Sequence, residues 1–245
     1  MEKDKIKQII KTITEDKNII PSIHNYCDRW CERCTHTIHC SVFKIEQEMN
    51  LSNEELDVKN QKFWASLTEL FQATAELMHE KIKELEIDPV IEIPADDFIT
   101  KSISSEMVII SRNYALEMAK WLDQQREVIL ERFTTLQSIN SEKALLFAET
   151  IEVVQHYFKP IATKTYRASL VYDDVNDETD DARGSAKVTI IIIDRSIVAM
   201  SAMLTYLPAK QDDILHFIKT LSHVKRLLLG IFPDAMEFVR PGFDE

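Results

Sequence analysis

Only three of the 245 residues are glycine, and this scarcity constrains the fold more than any motif does. Ordinary proteins carry roughly 7% glycine. Phosphate-cradling loops, dinucleotide-binding turns and tight hairpins need it, because other residues resist positive φ. The chain contains no G-x-G-x-x-G, no G-x-x-x-x-G-K-[ST] and no G-x-S-x-G. Nucleotide-binding α/β folds and α/β-hydrolases are thereby disfavoured.

Helical periodicity fills the space that these folds leave. From Phe63 an apolar stripe runs through Leu67, Leu70, Phe71, Met78, Ile82 and Leu85 in steps of three and four residues. Asp88-Pro89 ends it, since proline disfavours α geometry in the residue before it. Pro94, Asp96 and Asp97 lead to a second long helix, with its stripe at Met107, Tyr114, Ala115, Met118, Leu122, Ile129, Phe133 and Leu136. A third is expected from Ser141 to Phe158, and Pro160 suits the first turn of a fourth. Residues 173–184, rich in acids, read as a solvated loop; the acid spacing and central glycine of a calcium loop are missing. Ser185 to Leu207 reads as a helix, although Val188–Ile193 alone would pass for a buried strand. Pro208 opens one more helix to Leu229, with Gly230 as its C-cap. The expected fold is all-α: a bundle of five or six helices carrying an N-terminal four-cysteine module, with residues 1–50 as the module and 51–245 as the bundle, forming one compact unit.

A net charge of −12 opposes binding to nucleic acid or an anionic membrane. The charged N-terminal stretch fits no secretory or transit signal, and the apolar run Val188–Ile193 is too short to cross a bilayer. A cytoplasmic, reducing location is therefore expected, where clustered thiols serve as ligands more often than as disulfides.

All four cysteines, Cys27, Cys31, Cys34 and Cys40, fall within 14 residues in a C-x3-C-x2-C-x5-C pattern. If the segment continues as a helix, the first three share one face. Cα27 and Cα34 would then be roughly 10 Å apart, which is too wide for one zinc ion with Zn–S bonds of about 2.3 Å. A 4Fe–4S cluster is wider and is the favoured expectation, with zinc second. His36 and His39 are alternate ligands for a Cys3His zinc site.

Other carboxylate and histidine groups suggest a second site. Glu149, Glu152 and His156 share one side of an otherwise apolar helix, so partial burial is expected. Lys187, Asp194 and Arg195 are set into the next apolar helix, with Lys187 and Asp194 two turns apart on one face. Buried charges are normally paired. A structural polar network is the plain reading; a catalytic pocket using Glu149, Glu152, His156 or Asp194 is the sharper one. Glu76-x-x-His79 is half of a di-iron pair whose groups should face inward; here they lie off the apolar stripe.

Several motifs resemble known proteins. Cys27, Cys31 and Cys34 resemble the C-x3-C-x2-C of radical SAM enzymes, which implies a βα barrel that the helical pattern does not show. Cys31, Cys34 and Cys40 are similar to the closing triplet of iron–sulfur nucleases related to RecB, whose acidic core lies on strands not found here. The segments NYCDRWCERC, GSAKVTIIIIDRS and FVRPGFDE together resemble a group of uncharacterised bacterial proteins. That resemblance implies no activity, only that the cysteine module and residues 184–196 belong to one unit. The expected function is metal binding in a redox, sensing or partner-binding role, with a protein partner; the competing one is an enzyme with its pocket between residues 143–158 and 185–207.

Overall fold

The computed structural model describes residues 3–49, 60–86, 105–171 and 181–244. Among them it is all-α, with eight α-helices, five short 3-10 turns and no strand. Contacts divide the chain into two compact units, residues 1–24, 30–93 and 241–245 in the first and 25–29 and 94–240 in the second.

In the first unit, α1 (Lys3–Thr14) packs against α2 (Ser41–Met49) and α3 (Gln61–Glu84). The side chain of Asn60 caps α3 by accepting from Lys62 N at 3.0 Å, which satisfies one of the orphan donors of a helix start. Ile6, Ile13, Met49 and Ala73 are buried. Beyond Ala73, α3 presents carboxylates to α1. Glu76 accepts from Lys3 at 2.5 Å and pairs with Lys7, while Glu80 pairs with Lys7 at 3.2 Å and Lys11 at 3.1 Å. The lysines step by four along α1 and the glutamates by four along α3, so two helical ridges face each other as rows of opposite charge.

The second unit holds α4 (Glu106–Gln124), α5 (Arg126–Ile139), α6 (Ser141–Val171), α7 (Asp181–Tyr206) and α8 (Gln211–Ile231). The most extensive packing is α6 on α7; α4 also packs on α6 and α8, α5 on α6, and α8 on α7. The α7 helix is apolar nearly all round, and every residue from Ala182 to Ile190 except Arg183 is buried. A helix of that character must be central. Its length and composition also suit a membrane span, and half of its most apolar stretch is buried inside the chain. The six-residue apolar run is thus part of a 26-residue helix, and the strand reading of 188–193 is set aside.

Four element boundaries are corrected. Pro160 does not begin a helix: α6 runs through it for 31 residues. The buried positions Phe147, Ile151, Val154, Tyr157, Ile161, Thr165 and Ala168 keep the helical step across the proline, so packing outweighs the hydrogen bond that proline removes. The single helix expected over Met107–Leu136 is two, broken at Gln125 without proline or glycine. Gly230 lies inside α8, with Phe232 as the C-cap. The α7 helix begins at Asp181, so 173–180 of the acidic segment lie outside the described residues, as do Asp88-Pro89, Pro94 and Asp96-Asp97.

The ion pairs of α1 give a pH window. Lys3 and Lys7 hold the Glu76 carboxyl below its ordinary 4.5, and Lys11 and Lys7 do the same for Glu80. The hydrogen bond from Lys7 to Glu76 pushes the Lys7 ammonium above its ordinary 10.5. Depressed carboxylate values mean that the contribution is complete above about 4.5 and is lost as pH falls; the raised lysine means that it is lost again above about 10.5. Amide exchange, corrected for intrinsic rates, should show α1 losing protection below pH 4.5 while α6 and α7 keep theirs, with added salt acting in the same direction. Protection of α1 that ignores both pH and salt would show that the charge rows do not hold it.

Candidate metal centre and the cluster around Asp28

Residues 25–40 do not continue as one helix. They form 3-10 turns at Ile23–Asn25, Cys31–Arg33 and Thr37–His39, separated by extended residues. Cys34 is extended (φ −87°, ψ 128°) at the end of its turn, and its N–H donates to Cys31 O at 3.2 Å. Arg29, at φ 62°, interrupts the chain earlier in the left-handed region. The premise of three thiols on one helix face is therefore corrected: the segment is built of short turns and has no continuous helical pitch.

All four cysteines are half-buried thiols outside any disulfide. Cys31, Cys34 and Cys40 sit in the first unit and Cys27 in the second. The Cys34 sulfur accepts the His36 N–H at 3.4 Å. Cys40 stands immediately before α2, and its carbonyl accepts from Lys44 N at 3.1 Å. Among the described residues no three His, Cys, Asp or Glu side chains are gathered as metal ligands would be. The donor chemistry fits a thiophilic metal; a closed coordination shell is not formed.

The alternate histidines differ. His39 places Nδ1 2.7 Å from Asn18 O. A carbonyl can only accept, so Nδ1 carries the proton and neutral His39 keeps its lone pair on Nε2, the tautomer of a ligating histidine held by an outer hydrogen bond. His36 instead sets its ring edge-on to Phe243, with centroids 4.9 Å apart. Arg33 stacks over Trp30 at 4.1 Å, a cation–π contact. The loop is anchored by Ile20 N donating to His39 O at 3.0 Å and by Lys44–Asp16 at 2.6 Å. Gly242, at φ 76°, lies where a Cβ would come within 3.0 Å of Ile20 and Ile23 side chains.

Within the second unit, residues 25–29 lie on α6 and α7. Tyr26 packs against Phe238 with ring centroids 4.9 Å apart. A Cβ on Gly184 would fall 2.3 Å from the Tyr26 ring and 2.9 Å from the Phe238 ring. Lys187, buried, donates to Phe238 O at 2.6 Å. Tyr26, Gly184, Lys187 and Phe238 thus form one packed cluster.

Asp28 is its polar end. Its Oδ2 accepts from Tyr157 OH at 2.8 Å and from Arg195 Nη1 at 2.5 Å; Arg195 also donates to Tyr157 OH at 2.8 Å. His156 places Nε2 3.2 Å from Asp28 O. Asn25 is held twice, by Lys164 Nζ on its carbonyl at 2.5 Å and by Arg167 on its Oδ1 at 3.1 Å. Arg167 also grips Asp181 through two bonds of 2.8 and 2.9 Å. Burial pushes the Tyr157 phenol up to about 12, reinforced by the Asp28 charge, so it is a fixed donor and not a base at neutral pH. Burial brings the Lys164 ammonium down to about 8. Burial also raises the Cys27 thiol, against the opposing pull of the Arg29 N–H and of Lys164.

The residues expected to share a second site are dispersed. Glu149 and Glu152 are exposed on α6. Asp194 is exposed and bound by Lys225 at 2.6 and 2.7 Å, while Lys187 goes to Phe238 O, so the two do not pair. His156 and Arg195 converge on Asp28. Glu76 is taken by the lysines of α1. Asp28, Tyr157 and Lys164 gave no sequence signal beyond lying in apolar surroundings. No family model, curated protein or solved structure matches the chain.

Two substitutions check the cluster. Gly184→Ala should destabilise the fold by about 1–3 kcal/mol through overpacking against Tyr26, outweighing the roughly 1 kcal/mol that alanine gains in a helix. Tyr157→Phe should cost about 1–2 kcal/mol, the worth of a hydrogen bond to a charged group. Urea unfolding reads both. Stability unchanged in Tyr157→Phe would show that the Asp28 network does not hold the segment.

Proposed function

We propose that this chain binds a metal through the thiolates of Cys27, Cys31, Cys34 and Cys40, and that the centre serves a redox, sensing or partner-binding role. The observation that carries the reading is the concentration of every cysteine of the chain in 14 residues, all as thiols, with Cys31 and Cys34 bracketing one tight turn and an N–H already directed at the Cys34 sulfur. Turns of this kind can close around a metal without unwinding a helix. They also remove the geometric objection to zinc: the break at Cys34 lets neighbouring sulfurs approach the spacing that a single ion requires. Such turns admit either an iron–sulfur cluster or zinc, with His39, whose Nδ1 is held by Asn18 O, as the alternate nitrogen ligand.

A second reading, an enzyme using the α6–α7 face of the second unit, draws on the convergence of His156 and Arg195 on Asp28. With the Asp28 carboxylate occupied and Tyr157 held protonated, that cluster acts as an anchor more readily than as an acid–base pair. The enzyme reading gains if Glu152→Gln or His156→Asn abolishes a cellular phenotype that Cys→Ala variants retain.

Anaerobic purification, metal analysis and an absorption spectrum test the metal reading. A brown protein with stoichiometric iron and sulfide marks a cluster; a colourless protein with stoichiometric zinc marks the alternative. Cys31→Ala or Cys34→Ala should weaken metal retention beyond the roughly 10–100-fold that loss of an outer hydrogen-bond partner typically costs. Metal-free protein, or retention unaffected by these variants, would overturn the proposal.

A further inference from the structure

The α3 helix turns its apolar face away from the helix it packs on. Ala73 and the Glu76 and Glu80 carboxylates face α1. On the opposite side Trp64, Phe71, Met78 and Leu85 are 57%, 65%, 61% and 56% exposed. They recur at intervals of seven, the repeat of a left-handed coiled-coil seam, so the shape that covers them is another helix with the same period. Glu69 lies one heptad before Glu76 and so on the α1 side. The nearest charge to the seam is Lys81, which pairs with Glu84 of its own helix at 2.9 Å. In a chain with 41 acids and 29 bases, this face lacks the carboxylates that would make two copies repel.

We propose that a second copy of this chain occupies the seam, the two α3 helices pairing antiparallel about a two-fold axis between Thr74 and Ala75. That axis sets Trp64 against Leu85 and Phe71 against Met78, so each bulky aromatic meets a smaller, more pliable side chain, and Met78 gains a sulfur–aromatic contact. The same patch serves both copies, as a two-fold interface requires. With each side chain leaving half or more of about 200 Å² open, the seam offers on the order of 500 Å² per copy. The pair then buries on the order of 1,000 Å² in total, the lower limit for a specific interface.

Light scattering and sedimentation equilibrium on the full chain test this. The wild type should have about twice the 28.4 kDa chain mass. Phe71→Lys and Met78→Glu should each weaken the dimer at least about tenfold, with helix content by circular dichroism unchanged, since both side chains are exposed. The double variant F71K/M78E should restore it, because the introduced ammonium of one copy then faces the introduced carboxylate of the other only in the antiparallel arrangement. A wild type that stays monomeric at about 100 μM overturns the proposal, whatever else covers the seam. So does a dimer indifferent to Phe71→Lys, or one that the double variant fails to restore.

Discussion

The contact between the Tyr26 ring and the bare backbone of Gly184 is the constraint on which the second unit's held segment depends. It brings residues 25–29 against α7, a helix otherwise sealed by apolar packing. Once Tyr26 is seated on Gly184 and Phe238, Asn25 and Asp28 fall on either side of it, and their polar groups must find partners or bear the cost of burial. Lys164 and Arg167 take Asn25; Tyr157 and Arg195 take Asp28. A single aromatic–glycine contact thus organises a polar network whose four partner side chains lie on α6 and α7 between residues 157 and 195.

That anchoring bears on the thiols. Cys27 sits between the two held residues, Tyr26 and Asp28, so its backbone position is fixed by packing rather than by a metal. Cys31, Cys34 and Cys40 depend instead on 3-10 turns, each closed by one or two backbone hydrogen bonds. Such turns reorganise at low cost, because few buried apolar contacts oppose the change.

Much of the architecture was legible in the sequence. The scarcity of glycine and the apolar steps of three and four from Phe63 onward lead to an all-α chain, and α7 and α8 lie close to their expected limits. The misses share a cause. At Pro160 the local rule for proline competes with the stripe, which continues from Tyr157 to Ile161, Thr165 and Ala168 in unbroken helical step and wins. At Gln125 no residue type marks the break; only the loss of buried positions between Leu122 and Leu136 does, and that emerges from packing. The cysteine spacing was compatible with a helix, yet Arg29 at positive φ and the extended Cys34 are backbone states set by tertiary contacts. Asp28 and Tyr157 were illegible because their pairing spans 129 positions, and one sequence cannot show which distant polar residues meet.

The first unit poses an energetic problem that its own contacts leave open. Charge rows between α1 and α3 are surface ion pairs, each worth little once solvent screening and side-chain entropy are counted. Apolar burial contributes more to helix packing than such pairs do, and among the described side chains of α1–α3 the buried apolar ones are Ile6, Ile13, Met49 and Ala73. The aromatic and aliphatic seam of a 24-residue helix keeps more than half of each of its four side chains exposed. The seven-residue spacing of that exposed face is the feature that the proposed pairing of two α3 helices accounts for.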